Sequence, residues 1–293
     1  MKVELIIEGG GMRGAYTSGV LDFFLDNNII FKDIIGVSSG LAVALSYVSK
    51  QRGRNLEVFT RFANDKRYFG VESFIKTGSI FGLDFIFKTI PEQIIPFDYD
   101  TYHKLEVNLY AVVTDIQTGK AHYELIDNLD IKLPYAIASA SLPLVSKTVY
   151  VDGLELLDGG IADPIPIKHS KLTGFDRHVL ILTRNEGYRK NKKIGYNFLT
   201  AKYFRYKNLN HTLKTRHFIY NESVELAERL ESLGEAIIIR PSKPLLIDRF
   251  ERNPDRLKAL YDLGYEDAKN KLDELITLCK ECENFEYKEN TES

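Results

Sequence analysis

The chain has 293 residues, of which 44% are hydrophobic and 27% charged, as is usual for a folded globular protein. Its 39 basic and 41 acidic side chains leave a formal charge of −2, so composition gives no sign of a nucleic-acid partner. Two cysteines, Cys279 and Cys282, are too few for a disulfide framework or a structural zinc site, and we expect no metal and no cofactor.

The first residues do not predict a signal peptide, because Glu4 and Glu8 interrupt the apolar run that follows Met1. No stretch reaches the roughly 18 uncharged apolar residues that a spanning helix needs. We therefore expect a cytoplasmic protein, and reversible contact with a membrane surface stays open.

Strand-like and helix-like segments alternate along the chain, which predicts an α/β fold with a mainly parallel sheet between two helix layers. Strands are predicted at residues 3–7, 33–35, 106–114, 121–126, 148–151, 154–157, 178–183 and 236–240, and helices at 16–27, 41–50, 133–140 and from about 254. No linker is visible, so we expect a single domain over residues 1–283 and a disordered polar tail at 284–293.

The first strand leads into the glycine loop, Gly9-Gly10-Gly11-Met12-Arg13-Gly14. This loop also fits the dinucleotide pattern G-x-G-x-x-G, but the next strand ends in Val37-Ser38, without the acidic residue that would hold a ribose. Backbone N–H groups at a helix N-terminus, unblocked by side chains, bind negative charge. The loop is therefore interpreted as an oxyanion site, with Arg13 either bracing it or adding positive potential; a tight turn without a ligand is the alternative.

The second strand leads into the serine elbow, Gly36-Val37-Ser38-Ser39-Gly40. Gly-x-Ser-x-Gly alone occurs by chance, but a strand before it and a small-residue helix after it permit the sharp turn that exposes a serine hydroxyl. Ser38 is the predicted nucleophile and Ser39 a structural hydroxyl. Only one strand and one helix precede Ser38, which argues against the α/β-hydrolase fold.

The stretch 68–97 is rich in Phe, Ile and Leu but is broken by glycines and Pro91, so it cannot form one long helix. Two interpretations stay open. It is either an acyl-binding cap or lid over the site, or a helical excursion packed on the core.

A nucleophilic serine needs a proton acceptor. None of the six histidines lies in a motif typical of a catalytic base; they are His103, His122, His169, His178, His211 and His217. Asp158 in Asp158-Gly159-Gly160 is the better candidate, because it closes the second strand of a hairpin whose turn is predicted at Asp152-Gly153. Its pKa would have to rise above about 3.9 for it to act as a base, so a desolvated setting is expected. An ordinary Asp-Gly turn is the alternative.

Residues 184–217 are basic and aromatic. They could meet anionic lipid headgroups. A solvated surface with a loop at 187–195 is the other interpretation.

Together these elements resemble the patatin-like phospholipase family in its compact bacterial form. Further segments carry the likeness: Ala138-Ser139-Ala140-Ser141-Leu142-Pro143 matches an A-S-A-x-x-P pattern, and Val113-Thr114-Asp115 and Asp163-Pro164-Ile165-Pro166 resemble the stretches around it. The likeness runs from about residue 3 to the 180s.

The resemblance implies a patatin-like three-layer fold and a Ser38–Asp158 dyad without a histidine. Backbone N–H groups of Gly10 and Gly11 would hold the oxyanion, supported by Gly9, Met12, Arg13, Gly14, Gly36, Gly40, Gly159 and Gly160. It implies hydrolysis of lipid esters through an acyl-enzyme, with no metal. Two other functions stay open: a catalytically quiet lipid-binding or regulatory protein, and an esterase or thioesterase for soluble substrates.

Overall fold

A twisted sheet forms the centre of the structure, a computed structural model that describes residues 1–192, 201–244 and 247–287. The strands are β1 (Val3–Ile7), β2 (Ile29–Phe31), β3 (Asp33–Val37), β4 (Asn108–Asp115), β5 (Ala121–Leu125), β6 (Val149–Val151), β7 (Leu154–Asp158), β8 (Arg177–Ile181), β9 (Ala236–Ile239) and β10 (Phe285–Tyr287). The central sheet has the order β6-β7-β4-β3-β1-β8-β9, with β5 also paired to β4. Strands β4, β3, β1, β8 and β9 are mutually parallel, which confirms the predicted mainly parallel sheet.

Helices cover both faces of this sheet. They are α1 (Gly14–Asp26), α2 (Ser39–Val48), α3 (Arg54–Arg61), α4 (Val71–Thr77), α5 (Tyr99–Lys104), α6 (Leu129–Ser139), α7 (Ile167–Leu172), α8 (Lys207–Ser232), α9 (Pro254–Lys269) and α10 (Leu272–Glu281). Side chains of a strand alternate between faces. In β1, Leu5 and Ile7 join the cluster that includes α1, α2 and α9, whereas Ile6 joins the cluster that includes α7 and α8. The three-layer α/β/α prediction is therefore confirmed. No helix among the described residues is long and apolar enough to cross a bilayer.

The stretch 68–97 was predicted not to form one long helix, and the structure agrees. It contains α4 and a π-helical segment, Phe85–Ile94, which includes Pro91. An isolated bridge between Phe69 and Phe81 joins the two parts. All the phenylalanines of this stretch except the exposed Phe74 belong to the larger core cluster.

The C-terminal half differs from the sequence interpretation in two ways, one an omission and one a wrong prediction. Helix α8 was not predicted, because lysines, arginines and aromatic residues obscure its apolar stripe. Residues Phe285–Tyr287 were expected to be disordered, yet they form β10, which pairs with β2. The ring of Phe285 stacks on Phe31 with 4.2 Å between centroids, which gives this polar end an apolar anchor. Residues 288–293 of the expected tail lie outside the described residues.

Helices α1 and α9 pack with their backbones in close contact. A Cβ atom on Gly19 would lie 1.9 Å from the carbonyl oxygen of Tyr261, and one on Gly264 would lie 2.1 Å from that of Tyr16. Only glycine fits both positions without moving a helix. The C-terminal part of the chain is therefore in intimate contact with the helix that follows the glycine loop.

Candidate active site

Strands β3 and β7 end at neighbouring residues of β4. Val37 is registered against Val112, and Asp158 against Val113. Strand β5 pairs along one edge of β4, from Tyr110 to Thr114. Strands β3 and β7 therefore both pair along the opposite edge, β3 up to Val112 and β7 from Val113 onward. They approach from opposite directions, so the residue after Val37 and the last residue of β7 come together.

Ser38 occupies the turn between β3 and α2 with φ 55° and ψ −125°, a conformation that a non-glycine residue adopts only under constraint. Such strain costs of the order of 1–3 kcal/mol and must be held by surrounding contacts. Its N–H donates to the Ser139 hydroxyl at 2.9 Å, and that hydroxyl donates to the carbonyl of Val112 at 2.8 Å. The turn has the strained strand-to-helix geometry expected of a nucleophile elbow.

The Asp158 side chain is 2% exposed. Its Oδ1 accepts the N–H of Gly160 at 2.8 Å, whereas its Oδ2 has no hydrogen-bond partner among the described residues. Burial is the largest influence on this carboxyl and raises its pKa. The Ser38 hydroxyl and the Arg216 guanidinium lower that pKa in part. The Ser38 hydroxyl forms no hydrogen bond of standard geometry with Oδ2. Desolvation therefore gives Asp158 the character of a stronger base than an exposed aspartate.

The glycine loop lies directly against the elbow. A Cβ on Gly9 would lie 2.8 Å from the Ser38 Cβ. The N–H of Gly10 donates to Ser39 Oγ at 2.8 Å, so Ser39 ties the loop to the elbow. The N–H of Gly11 has no partner in the described part of the chain, and Gly11 adopts a left-handed φ of 59°. Of the two predicted oxyanion amides, Gly11 is thus free and Gly10 is engaged.

One cavity joins these groups. Its lining includes Ser38, Asp158 and the predicted motif residues Gly9, Gly10, Gly11, Met12, Arg13 and Gly160. Of the other predicted glycines, Gly36 lies in β3 two residues before Ser38, and the rest lie at helix starts next to the cavity: Gly14, Gly40 and Gly159. The Arg13 guanidinium donates to Thr183 Oγ1 at 3.4 Å, so it braces the loop against the end of β8 while facing the cavity.

No histidine is among the described residues that line this cavity. His169 stacks on Tyr123, with 3.5 Å between ring centroids. His178 shares a hydrogen bond with Ser170, and the buried His217 packs on Phe218. The predicted absence of a histidine base is compatible with these positions.

Sequence reasoning did not assign several residues that shape the site. Thr114 Oγ1 donates to the carbonyl of Asp158 at 2.9 Å and accepts the N–H of Ala162 at 3.2 Å. Arg249 lines the cavity, and its carbonyl accepts the N–H of Met12 at 3.1 Å. The basic stretch 184–217 was interpreted as a contact for anionic lipid headgroups or as a solvated surface, and neither interpretation placed Arg184, Lys190 and Arg216 in the cavity, which they line. Residues 193–200 of that stretch lie outside the described residues.

Two family models match the sequence. One, described as "Patatin-like phospholipase", matches residues 5–170, which include the glycine loop, the elbow and Asp158. The other, described as "Domain of unknown function (DUF6363)", matches residues 206–280.

Relatives with curated names include an uncharacterized protein YjjU from Escherichia coli, 28% identical over 196 residues that cover 62% of this chain and 52% of that protein. Lysophospholipase nte1 from Aspergillus niger is 26% identical over 192 residues, which cover 59% of this chain and 11% of that protein. The chain thus spans about half of the first and about a tenth of the second. Among solved structures, that of VipD from Legionella pneumophila aligns over 93% of this chain and 66% of that one, with a TM-score of 0.46 and 12% identity.

Proposed function

The chain belongs to the patatin-like phospholipase family, and on this basis we propose that it is a serine acyl hydrolase that releases fatty acid from lipid esters. The observation that carries the proposal is the meeting of the strained Ser38 turn and the buried, half-unpartnered Asp158 carboxyl in one cavity. A p-nitrophenyl ester assay tests it: wild type should turn over and Ser38→Ala should not. Equal absence of turnover in both would favour the catalytically quiet lipid-binding protein.

Ser38 Oγ attacks the ester carbonyl carbon while Asp158 Oδ2 takes the hydroxyl proton. The carbonyl oxygen becomes negatively charged in the tetrahedral intermediate. Collapse breaks the bond to the alcohol, and Asp158 returns the proton to that leaving oxygen. A water molecule then attacks the acyl-enzyme, again with Asp158 accepting a proton, and Ser38 recovers it as the fatty acid leaves. Support for this role comes from the free Oδ2 and the raised pKa of Asp158.

The oxyanion is stabilised by the Gly11 N–H and by the unpaired amides in the first turn of α2. The Gly10 N–H joins them when it leaves Ser39 Oγ, to which it is bonded at 2.8 Å. Removing one such donor typically lowers kcat by about 10²–10³.

The acyl chain lies against the apolar side of the cavity. Tyr68, Phe81, Leu83, Ile86 and Phe87 from the 68–97 stretch line that side, so the stretch serves as the acyl-binding cap. A comparison of esters with short and long acyl chains tests this role. Phe87→Ala should lower kcat/KM for long-chain esters more than for short-chain esters.

The enzyme contacts its substrate at a membrane surface through α4. Val71 is 73% exposed and Ile75 77%, and Phe74 lies on the same helical face. These side chains belong to the stretch that caps the cavity, so their insertion would bring lipid to its mouth. Co-sedimentation with phospholipid vesicles should fall in Ile75→Asp. If micellar and monomeric esters react equally, an esterase for soluble substrates is the better description.

Residues 1–283 act as one domain. Strand β9 extends the sheet that carries the site, and α9 packs on α1. The region matched by the second family model is therefore part of the hydrolase rather than a separate module.

A further inference from the structure

The cavity at Ser38 has two chemically different sides. The cap residues and Phe59 form an apolar side, whereas five basic side chains form the other: Arg13, Arg184, Lys190, Arg216 and Arg249. Among the described residues of the lining, these five face only two carboxylates, Glu8 and Asp158. The lining is therefore locally positive, although the chain as a whole has a formal charge of −2.

None of the five cations forms an ion pair with a carboxylate in the described part of the chain. The Arg216 guanidinium donates to the carbonyl of Gly160, and the Lys190 ammonium lies 4.1 Å from the ring centroid of Tyr220. The Arg184 guanidinium lies 4.6 Å from the Tyr188 ring centroid, and its Nε is buried without a hydrogen-bond partner. These direct partners are neutral, so Glu8 and Asp158 offset the positive charge only from a distance, without an ion pair.

Glu8 offsets the charge of the cluster only in part. Its carboxylate accepts the N–H and the hydroxyl of Thr183, at 2.6 and 3.1 Å. Burial and the neighbouring Arg184 together lower the pKa of Arg13 to about 10, against a smaller opposing effect of Glu8. Burial and the neighbouring Arg216 lower the pKa of Lys190 to about 6, so a phosphate bound beside this amine would favour its protonated form. Arg13 is buried and the other four side chains are partly buried. Bringing such like charges together without ion pairs costs free energy of folding, which a negatively charged ligand would offset.

We propose that this cationic side binds the phosphate of the lipid substrate, so that the enzyme prefers acyl esters whose headgroup is a phosphate without a cationic substituent. The inference rests on the proposed hydrolase function and names its substrate class. Arginines bind phosphate oxygens through paired N–H donors. In a glycerophospholipid only glycerol carbons and one oxygen separate the scissile ester oxygen from the phosphorus, so one cavity holds both groups. A choline or ethanolamine ammonium would enter a field of like charge, in which Glu8 is bonded to Thr183 and Asp158 serves as the proposed base.

The test compares three esters with the same acyl chain: lysophosphatidate, lysophosphatidylcholine and monoacylglycerol. Wild type should show a kcat/KM for lysophosphatidate at least about tenfold above the other two, the effect of one charge-assisted contact. Lys190→Gln and Arg184→Gln should each lower that ratio by about tenfold, because each removes a phosphate donor but no reacting group. Lys192→Gln removes the same charge from an exposed neighbouring residue and should leave the ratio unchanged. Equal rates on all three esters, or equal losses on all three in the cavity variants, would overturn the proposal.

A binding experiment separates this inference from the hydrolase proposal. Ser38→Ala protein is titrated calorimetrically with decyl phosphate, with decanol and with inorganic phosphate. Decyl phosphate should bind most tightly, and Lys190→Gln in the same background should weaken it. That result would stand even if no ester were hydrolysed. Inorganic phosphate binding as tightly as decyl phosphate would assign the site to a free anion instead, and decanol binding equally well would remove the anion site altogether.

Discussion

The hydroxyl of Ser139 accepts the backbone N–H of Ser38 at 2.9 Å and is itself completely buried. This contact joins the end of α6 to the turn between β3 and α2. It supplies part of the constraint that a positive φ at Ser38 requires.

Ser139→Ala should therefore loosen the turn without removing a reacting group. We expect kcat to fall by about tenfold, the effect of one lost buried hydrogen bond of about 1–1.5 kcal/mol on the strained conformation. The rate of fluorophosphonate labelling at Ser38 should fall in parallel. Ser141→Ala is the matched control, since the Ser141 hydroxyl donates within its own helix region to the carbonyl of Ile137. Equal labelling rates in both variants and wild type would show that Ser139 is only a packing residue.

Asp158→Asn should lose catalysis and stay folded. The asparagine Oδ1 still accepts the Gly160 N–H, but the side chain can no longer take the Ser38 proton. A loss of about 10²–10⁴ in kcat is expected for removal of a general base. His169→Ala and His217→Ala should keep most of the activity, measured with the same ester and with circular dichroism as the check on folding. An inactive histidine variant would indicate a Ser-His-Asp triad instead of the proposed Ser38–Asp158 dyad.

Activity should rise with pH through the pKa of Asp158. The base must be ionised, and burial raises its pKa, so the acidic limb of kcat/KM should have its midpoint above the ordinary carboxyl value of about 4. Arg216 lowers that pKa, so Arg216→Gln should move the midpoint to higher pH. Monoacylglycerol is the substrate for this profile, because it does not titrate in this range. A midpoint that stayed in place or moved to lower pH would contradict the assignment of the limb to Asp158.

Gly264→Val should destabilise the whole protein. The new side chain would meet the carbonyl of Tyr16 and force α9 away from α1, at a cost of about 1–3 kcal/mol typical of overpacking. Calorimetry should show one transition at a lower Tm, because a single domain unfolds as a unit. Gly234→Ala is the control: nothing lies near that position, so only its φ of 72° adds strain. Two separate transitions, with only one displaced, would show that residues 206–280 fold independently.

Local sequence signals were enough to place Ser38 and Asp158 at strand ends. Glycines around Ser38 and after Asp158 mark sharp turns at strand ends, and the alternation of segments gives the parallel sheet. The convergence of β3 and β7 on one edge of β4 depends on register, which no local pattern encodes.

Contacts between residues far apart in the sequence could not be predicted from local sequence patterns. Arg249 reaches the glycine loop from a segment with no motif of its own. In α8 the buried stripe that includes Leu213, Tyr220 and Val224 is interleaved with charged residues, so its helical period was hidden. At the other extreme, β10 has only three residues, and its polar neighbours predicted disorder.

The most direct test of the account is site identification with a fluorophosphonate probe followed by mass spectrometry of the labelled peptide. Wild type and Ser39→Ala should carry the label on Ser38, and Ser38→Ala should carry none and show no ester turnover. A label on another residue, or turnover by Ser38→Ala equal to that of wild type, would contradict Ser38 as the nucleophile.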